Sequence, residues 1–172
     1  MKHRTLIKII ITIAIVLSLL SAGLSLSHVL EAPGKAQLTF QEFVRVQHLF
    51  YGGYAIFGAV AWSFSVAAGL AAATGFYKRV PFICINSLLG VTCFAACFLL
   101  YFVFLSRYNA AIAAWNTIAP AGWRFVSSNW NRCHAAIFVI NTAGSIFFLR
   151  VKGRIDLLSR QKGLPGTSSL ND

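Results

Sequence analysis

Four uncharged apolar runs dominate the chain: Ile9 to Leu30, Leu49 to Tyr77, Val80 to Ser106 and Cys133 to Leu149. The first three exceed the ~18–20 residues that cross a bilayer core, and the fourth reaches the lower bound. A backbone in lipid must close its own hydrogen bonds. None of these runs alternates apolar and polar residues as a barrel strand does, so each is predicted to be a helix. The expected fold is therefore all-α, a polytopic membrane protein built as a four-transmembrane-helix bundle. An apolar share of 58% with only 11% charged residues excludes an ordinary soluble domain, whose apolar share is ~45–50%.

The distribution of charge orients the bundle. Lys2, Arg4 and Lys8 precede the first run, Lys78 and Arg79 separate the second from the third, and Arg150, Lys152, Arg154, Arg160 and Lys162 follow the fourth. The other side would hold only Lys35, Arg45, Arg107, Arg124 and Arg132. The positive-inside rule then places both termini in the cytoplasm and the protein, multi-pass, in the inner (cytoplasmic) membrane. A net charge of +11 thus reads as topology, and nucleic acid is not an expected partner, because the basic tail is short and lacks interleaved aromatics. The basic N-terminus imitates a secretory signal, but its apolar run is longer than the ~7–15 residues of an h-region and no clear Ala-x-Ala site precedes His28, so a retained first span is expected. Residues 1–152 form the expected four-helix domain, with spans at about 9–30, 46–74, 81–106 and 131–150, and residues 153–172 a cytoplasmic tail that is partly disordered.

Local signals punctuate this plan. Ala32-Pro33-Gly34 predicts a break after the first helix, and Thr39-Phe40-Gln41-Glu42 a capping box that opens a helix from about Gln41 to Thr74. Pro81 suits the first turn of the third helix, which is expected to end near Ser106. Arg107 to Asn129 is the one long connection, with Trp115, Trp123 and Trp130 as interfacial residues and Ser127 or Ser128 as cap of the last helix. Cys84, Cys93, Cys97 and Cys133 lie in or beside spans, so no disulfide framework is expected. No internal repeat, phosphate-cradling glycine loop or nucleophile elbow is found.

Polar and small residues are costly on a lipid-facing surface, so their spacing marks inward faces. Ser18, Ser21, Ser25 and His28 form one stripe, and Gln41, Arg45, His48 and Gly52 a second. Asn86, Gly90, Cys93, Cys97 and Tyr101 form a third, and Asn131, His134, Asn141 and Ser145 a fourth. For the serines, glycines and cysteines, close helix packing is the simplest meaning. The histidines carry more. His28, His48 and His134 fall at one depth near the non-cytoplasmic end, and Glu31 lies three residues after His28. Two readings stay open: hydrogen-bonded packing residues, or a site in which His28, His48 and His134 are catalytic and, with Glu31, ligate copper, iron or zinc. Arg45, Arg124 and Arg132 either hold an anionic group or pair with Glu31 and Glu42, and Trp123 and Trp130 are anchors or a lid.

These residues resemble the anthrone oxygenase-like family of small four-helix bacterial membrane proteins. The resemblance rests on Ser27-His28 with Glu31-Ala32-Pro33-Gly34-Lys35, on Val46-Gln47-His48-Leu49-Phe50-Tyr51 with Gly52 or Gly53, and on Trp123, Asn129-Trp130 and His134. It implies a four-span bundle and the oxidation of an anthrone to an anthraquinone. An arginine expected shortly after the last histidine is absent, since Ala135, Ala136 and Ile137 follow His134. With the resemblance, the candidate substrate contacts are Arg45, Gln47, Tyr51, Trp123, Arg124, Trp130 and Asn131. The expected function is oxygen-dependent oxidation of an apolar aromatic or quinol-like molecule that enters from the lipid. The alternative is a non-enzymatic binding module or accessory subunit, and a homo-oligomer is compatible with either.

Overall fold

The computed structural model describes residues 2–50 and 53–161. In chain order the elements are α1 (Lys2–Lys35), α2 (Phe40–Phe50), α3 (Tyr54–Gly75), α4 (Pro81–Leu100), a π-helical turn (Tyr101–Leu105), α5 (Ser106–Ala113) and α6 (Trp123–Gln161). No strand occurs among the described residues. Four stretches are long and apolar enough to cross a membrane: Thr5–Lys35, Tyr54–Gly75, Pro81–Ala113 and Trp123–Gln161. The chain is thus an all-α, four-helix bundle of membrane-protein type. α1 packs on α6 and α3, and α4 packs on α3 and α6. The expected disordered stretch 163–172 lies outside the described residues.

The α1 and α6 helices run antiparallel, and polar contacts set their register. Lys8 meets Asp156 at 2.6 Å, the Ser18 and Ser145 hydroxyls are 2.8 Å apart, and the His28 and His134 rings meet at 4.1 Å. With its amide turned to satisfy both ends, Asn141 donates to Ser18 O (3.2 Å) while its oxygen accepts from Ser21 Oγ (3.1 Å) and Ala22 N (3.2 Å). The serine stripe of α1 and the Asn141/Ser145 stripe of α6 are fully buried, as the cost of polar groups in lipid requires. Lys8 and Asp156 also show that the first turns of α1 and the last turns of α6 share one end of the bundle.

Aromatic knobs seated on glycines close the rest of the core. A Cβ on Gly69 or Gly90 would run into the Phe148 ring, and one on Gly144 would sit 2.9 Å from Phe94 Cζ. Phe148 and Phe94 are fully buried and tilted against each other at 5.3 Å. All four cysteines are free.

Five boundaries differ from the sequence expectation, one of them the end of the last helix, expected near residue 150 with a tail from 153 and found at Gln161. α1 passes through Pro33 to Lys35, because a proline in the last turn removes one hydrogen bond where the helix is about to end anyway. The helix expected from Gln41 to Thr74 is divided into α2, which ends at Phe50, and α3, which starts at Tyr54 just after Gly53, and a glycine in a helix interior costs ~1 kcal/mol relative to alanine. The third span continues past Ser106 to Ala113. The fourth helix starts at Trp123, which leaves Ser127 and Ser128 inside it and reduces the long connection to 114–122. Gly122 precedes the new start with φ of 76°, a left-handed conformation that suits glycine.

The capping box forms as predicted. Thr39 N and Oγ1 each donate to Glu42 Oε2 at 2.8 Å, and Glu42 N donates to Thr39 Oγ1 at 3.4 Å. The inward face of α2 is nonetheless Phe40, Phe43, Val44 and Gln47. Gln41, Arg45 and His48 fall on its exposed side, so the polar stripe expected to point inward does not. The backbone and hydroxyl donors of Thr39 hold the Glu42 carboxyl below its ordinary pKa. A lowered carboxylate pKa contributes stability above the ordinary value and loses it as pH falls through the lowered one. The Thr39 amide is therefore expected to keep its hydrogen-exchange protection as pH falls through the ordinary glutamate range and to lose it only below. In Glu42→Ala, which removes the acceptor, the protection should be weak at every pH.

Gly90→Val is expected to lower the melting temperature in detergent by the equivalent of about 1–3 kcal/mol, with partial recovery in Gly90→Val/Phe148→Leu. An unchanged melt for the single variant would contradict the glycine seat.

Candidate functional site

At the end of the bundle opposite Lys8, the α1 stripe finishes on His28, which is 1% exposed. The antiparallel register places His134 of α6 against it, with the rings tilted by 46°. Trp130, one turn before His134, meets both imidazoles edge-on at 4.7 and 4.5 Å. Tyr54, in the first turn of α3, adds a fourth ring 5.8 Å from His28. Trp130 is buried and donates its indole N–H to Asn109 Oδ1 at 2.7 Å, which ties α6 to α5. It is a wall of the site rather than the interfacial anchor the sequence allowed.

Continuation of α1 beyond Pro33 gives this cluster a buried cation. Lys35 lies two turns after His28, only 6% exposed. Its ammonium pairs with Glu31 at 2.8 Å, lies 3.4 Å from His28 Nδ1 and sits 5.1 Å from the centre of the Trp130 ring. An ammonium has donors and no acceptor, so this contact favours the tautomer in which His28 Nδ1 offers its lone pair and Nε2 carries the proton.

The histidines open into a cavity of about 490 Å³, within the ~300–1,000 Å³ of small-molecule sites. Ser21, Ser25 and His28 of α1, Gln47 and His48 of α2, and Tyr54, Gly58 and Trp62 of α3 line it. Tyr101 and Leu105 from the π turn, Asn109 and Ile112 of α5, and Trp130 and His134 of α6 complete the wall. The π turn, with Ser106 N bonded to Tyr101 O, belongs to a type of irregularity that concentrates at functional sites. No Asp, Glu, Lys or Arg is among the lining residues. Two lining atoms, Gln47 Nε2 and His134 Nδ1, are buried without a hydrogen-bond partner, a state that costs ~1–3 kcal/mol per group unless something fills the space.

Of the residues expected to act together, His28, His134, Gln47 and Trp130 share this cavity. His48 also lines it, with its Nε2 3.3 Å from Ile112 O. Glu31 is committed to Lys35 and does not line the cavity. Among the described residues no three His, Cys, Asp or Glu side chains come together as metal ligands. The set His28, Glu31, His48 and His134 is thus not assembled as ligands: the Glu31 carboxylate turns to Lys35, and His48 Nε2 lies against Ile112 O. The residues present do not fit a copper, iron or zinc centre of three or four ligands.

The remaining expected contacts go elsewhere. Arg45 is exposed on the outer side of α2. Trp123 packs on Phe40 and Phe43 at 5.5 and 5.8 Å. Arg124 and Asn131 line a neighbouring pocket, and Tyr51 lies outside the described residues. Sequence reasoning missed Asn109 and Tyr54, which the π turn and the α2–α3 break bring to the wall. It also missed the inward role of Lys35, for which the seven-residue spacing from His28 was the available signal. Comparisons with family models, curated proteins and solved structures found no match.

The ring nitrogens of ¹⁵N-labelled protein should show His28 protonated at Nε2 and unprotonated at Nδ1. Lys35→Met should shift the Nδ1 resonance by removing its donor, and a protonated Nδ1 would contradict the arrangement.

Proposed function

We propose that this membrane protein binds a neutral, flat phenol- or quinol-like molecule in the His28/His134 cavity and oxidises it with dioxygen. One observation carries the reading: the cavity wall has no Asp, Glu, Lys or Arg among the described residues, yet it holds two buried polar atoms, on Gln47 and His134, that lack partners. An anion would gain no countercharge there, and a pure hydrocarbon would leave both polar atoms unsatisfied. An aromatic ring bearing hydroxyl or carbonyl groups meets both conditions. It packs among Tyr54, Trp62, Tyr101 and Trp130 and hydrogen-bonds to Gln47 and His134.

In chemical terms, His134 removes a proton from the bound molecule, and His28, held in one tautomer by Lys35, orients the substrate through Nε2–H. For a substrate of the anthrone class, which the sequence resemblance favours, the proton leaves the methylene carbon. The resulting delocalised anion reacts with dioxygen. One oxygen atom becomes the new carbonyl, and the other leaves as water with the two hydrogens the substrate gave up. A positioned base of this kind contributes ~10²–10⁴-fold to rate.

Anthrone and 1,4-naphthoquinol are the probes, with tryptophan fluorescence reporting binding and an oxygen electrode reporting turnover. Saturable quenching is expected, weakened about ten-fold by Gln47→Leu, with oxygen uptake reduced at least about 10²-fold by His134→Ala. Binding without oxygen uptake would assign the cavity to a non-enzymatic binding module. Absence of saturable quenching by both probes would overturn the reading.

A further inference from the structure

A second pocket, of about 460 Å³, lies where the end of α1, α2 and the first turns of α6 meet, and its chemistry is opposite to that of the cavity. Val29, Ala32, Ala36, Phe43 and Ala135 supply an apolar wall. Lys35, Arg124 and Arg132 bring positive charge to it, with Ser127, Ser128 and Asn131 among them. Charge accounting shows what is missing. Of the four acidic residues in the chain, Glu31 pairs with Lys35, Glu42 is committed to Thr39, Asp156 pairs with Lys8 and Lys152, and Asp172 lies outside the described residues. No ion pair to Arg124 or Arg132 occurs among the described residues. The sequence allowed these arginines to pair with Glu31 or Glu42, and neither does.

The arginines are nonetheless held in place. Arg124 donates from Nη1 to Ala36 O at 2.9 Å and lies over the Trp123 ring at 4.5 Å. Arg132 donates to Asn129 Oδ1 at 3.5 Å. A guanidinium that spends one donor on such a contact retains others in its planar fork, the geometry suited to phosphate or carboxylate oxygens. Asn131 Oδ1, in the same wall, is buried without a hydrogen-bond partner, and a hydroxyl on the bound group would satisfy it. An apolar wall, two arginines without an ion-pair partner among the described residues and an orphaned acceptor together describe a site for an anionic head attached to an apolar tail.

We infer that this pocket binds a phosphate-bearing group, at a site separate from the aromatic cavity. The same chemistry is offered by an anionic phospholipid headgroup and by free phosphate. The test uses full-length protein in neutral detergent, with native mass spectrometry to count phosphatidylglycerol and phosphatidylcholine adducts, and a parallel titration with inorganic phosphate. Arg132→Gln is the first variant, because Arg132 is exposed and its only described bond is to Asn129. Arg124→Gln is the second, and Arg45→Gln is the control of equal charge change.

Preferential retention of phosphatidylglycerol, reduced about ten-fold by Arg132→Gln or Arg124→Gln and unchanged by Arg45→Gln, supports the site with lipid as its source. Phosphate binding with the same variant dependence supports it with the free anion as source. Equal retention of both lipids with no phosphate binding, or losses that Arg45→Gln reproduces, would overturn it. Quenching by the cavity probes in Arg132→Gln should match that of the parent protein, so failure of the anion site is distinguishable from failure of the cavity.

Discussion

The hydrogen-bonded seam between α1 and α6 is the constraint from which the rest of the molecule follows. Ser18, Ser21, Asn141 and Ser145 satisfy one another inside a bundle that offers them no water, and a slip of one helical turn, ~5.4 Å, would leave several of them unpaired. Because the seam fixes register, the residues two to three turns further along α1 and earlier along α6 are brought together without needing strong contacts of their own. His28 and His134 meet for that reason. Helix association in lipid draws on packing and interhelical hydrogen bonds rather than on a hydrophobic drive, and the Phe148 and Phe94 knobs seated on glycines supply the packing half.

The end of the bundle beyond the seam is polar, and its polar groups are sorted. Lys35 is nearly buried, yet its charge is matched by Glu31 and its remaining donors face His28 and the Trp130 ring, the kind of compensation a buried cation requires. That matched pair separates two environments: an uncharged aromatic cavity, and a pocket with two arginines that no described carboxylate balances. A neutral ligand suits the first and an anion the second.

Much of this was legible in the sequence because lipid penalises misplaced polarity so strongly. The Ser18–His28 stripe, the Asn86–Gly90–Cys97 stripe and the Asn141–Ser145 pair all face inward as their spacing requires. α2 was misread because it carries two helical patterns at once, Gln41/Arg45/His48 and Phe40/Phe43/Val44/Gln47. The polar stripe points inward only if the helix is embedded. As a separate amphipathic segment that ends at Phe50, before α3 begins at Tyr54, α2 buries its apolar face, which turns Gln47 in and Arg45 out. Spacing puts His28, His48 and His134 at one depth, but which rings meet is set by the α1–α6 register, and the Glu31–Lys35 pair depends on a helix continuing through Pro33, against the usual meaning of Ala-Pro-Gly. Asn109 could not be placed from spacing, because the π turn re-phases the helix that carries it.

The most direct test of the two-histidine cavity is a solid-state NMR contact experiment in lipid, with ¹⁵N-labelled histidine rings and ¹³C-labelled 1,4-naphthoquinol. Cross-peaks from the quinol to both His28 and His134, with the His134 contact absent in His134→Ala, are the expected result. Contacts to His48 alone, or to no histidine ring while the quinol remains bound, would contradict the assignment.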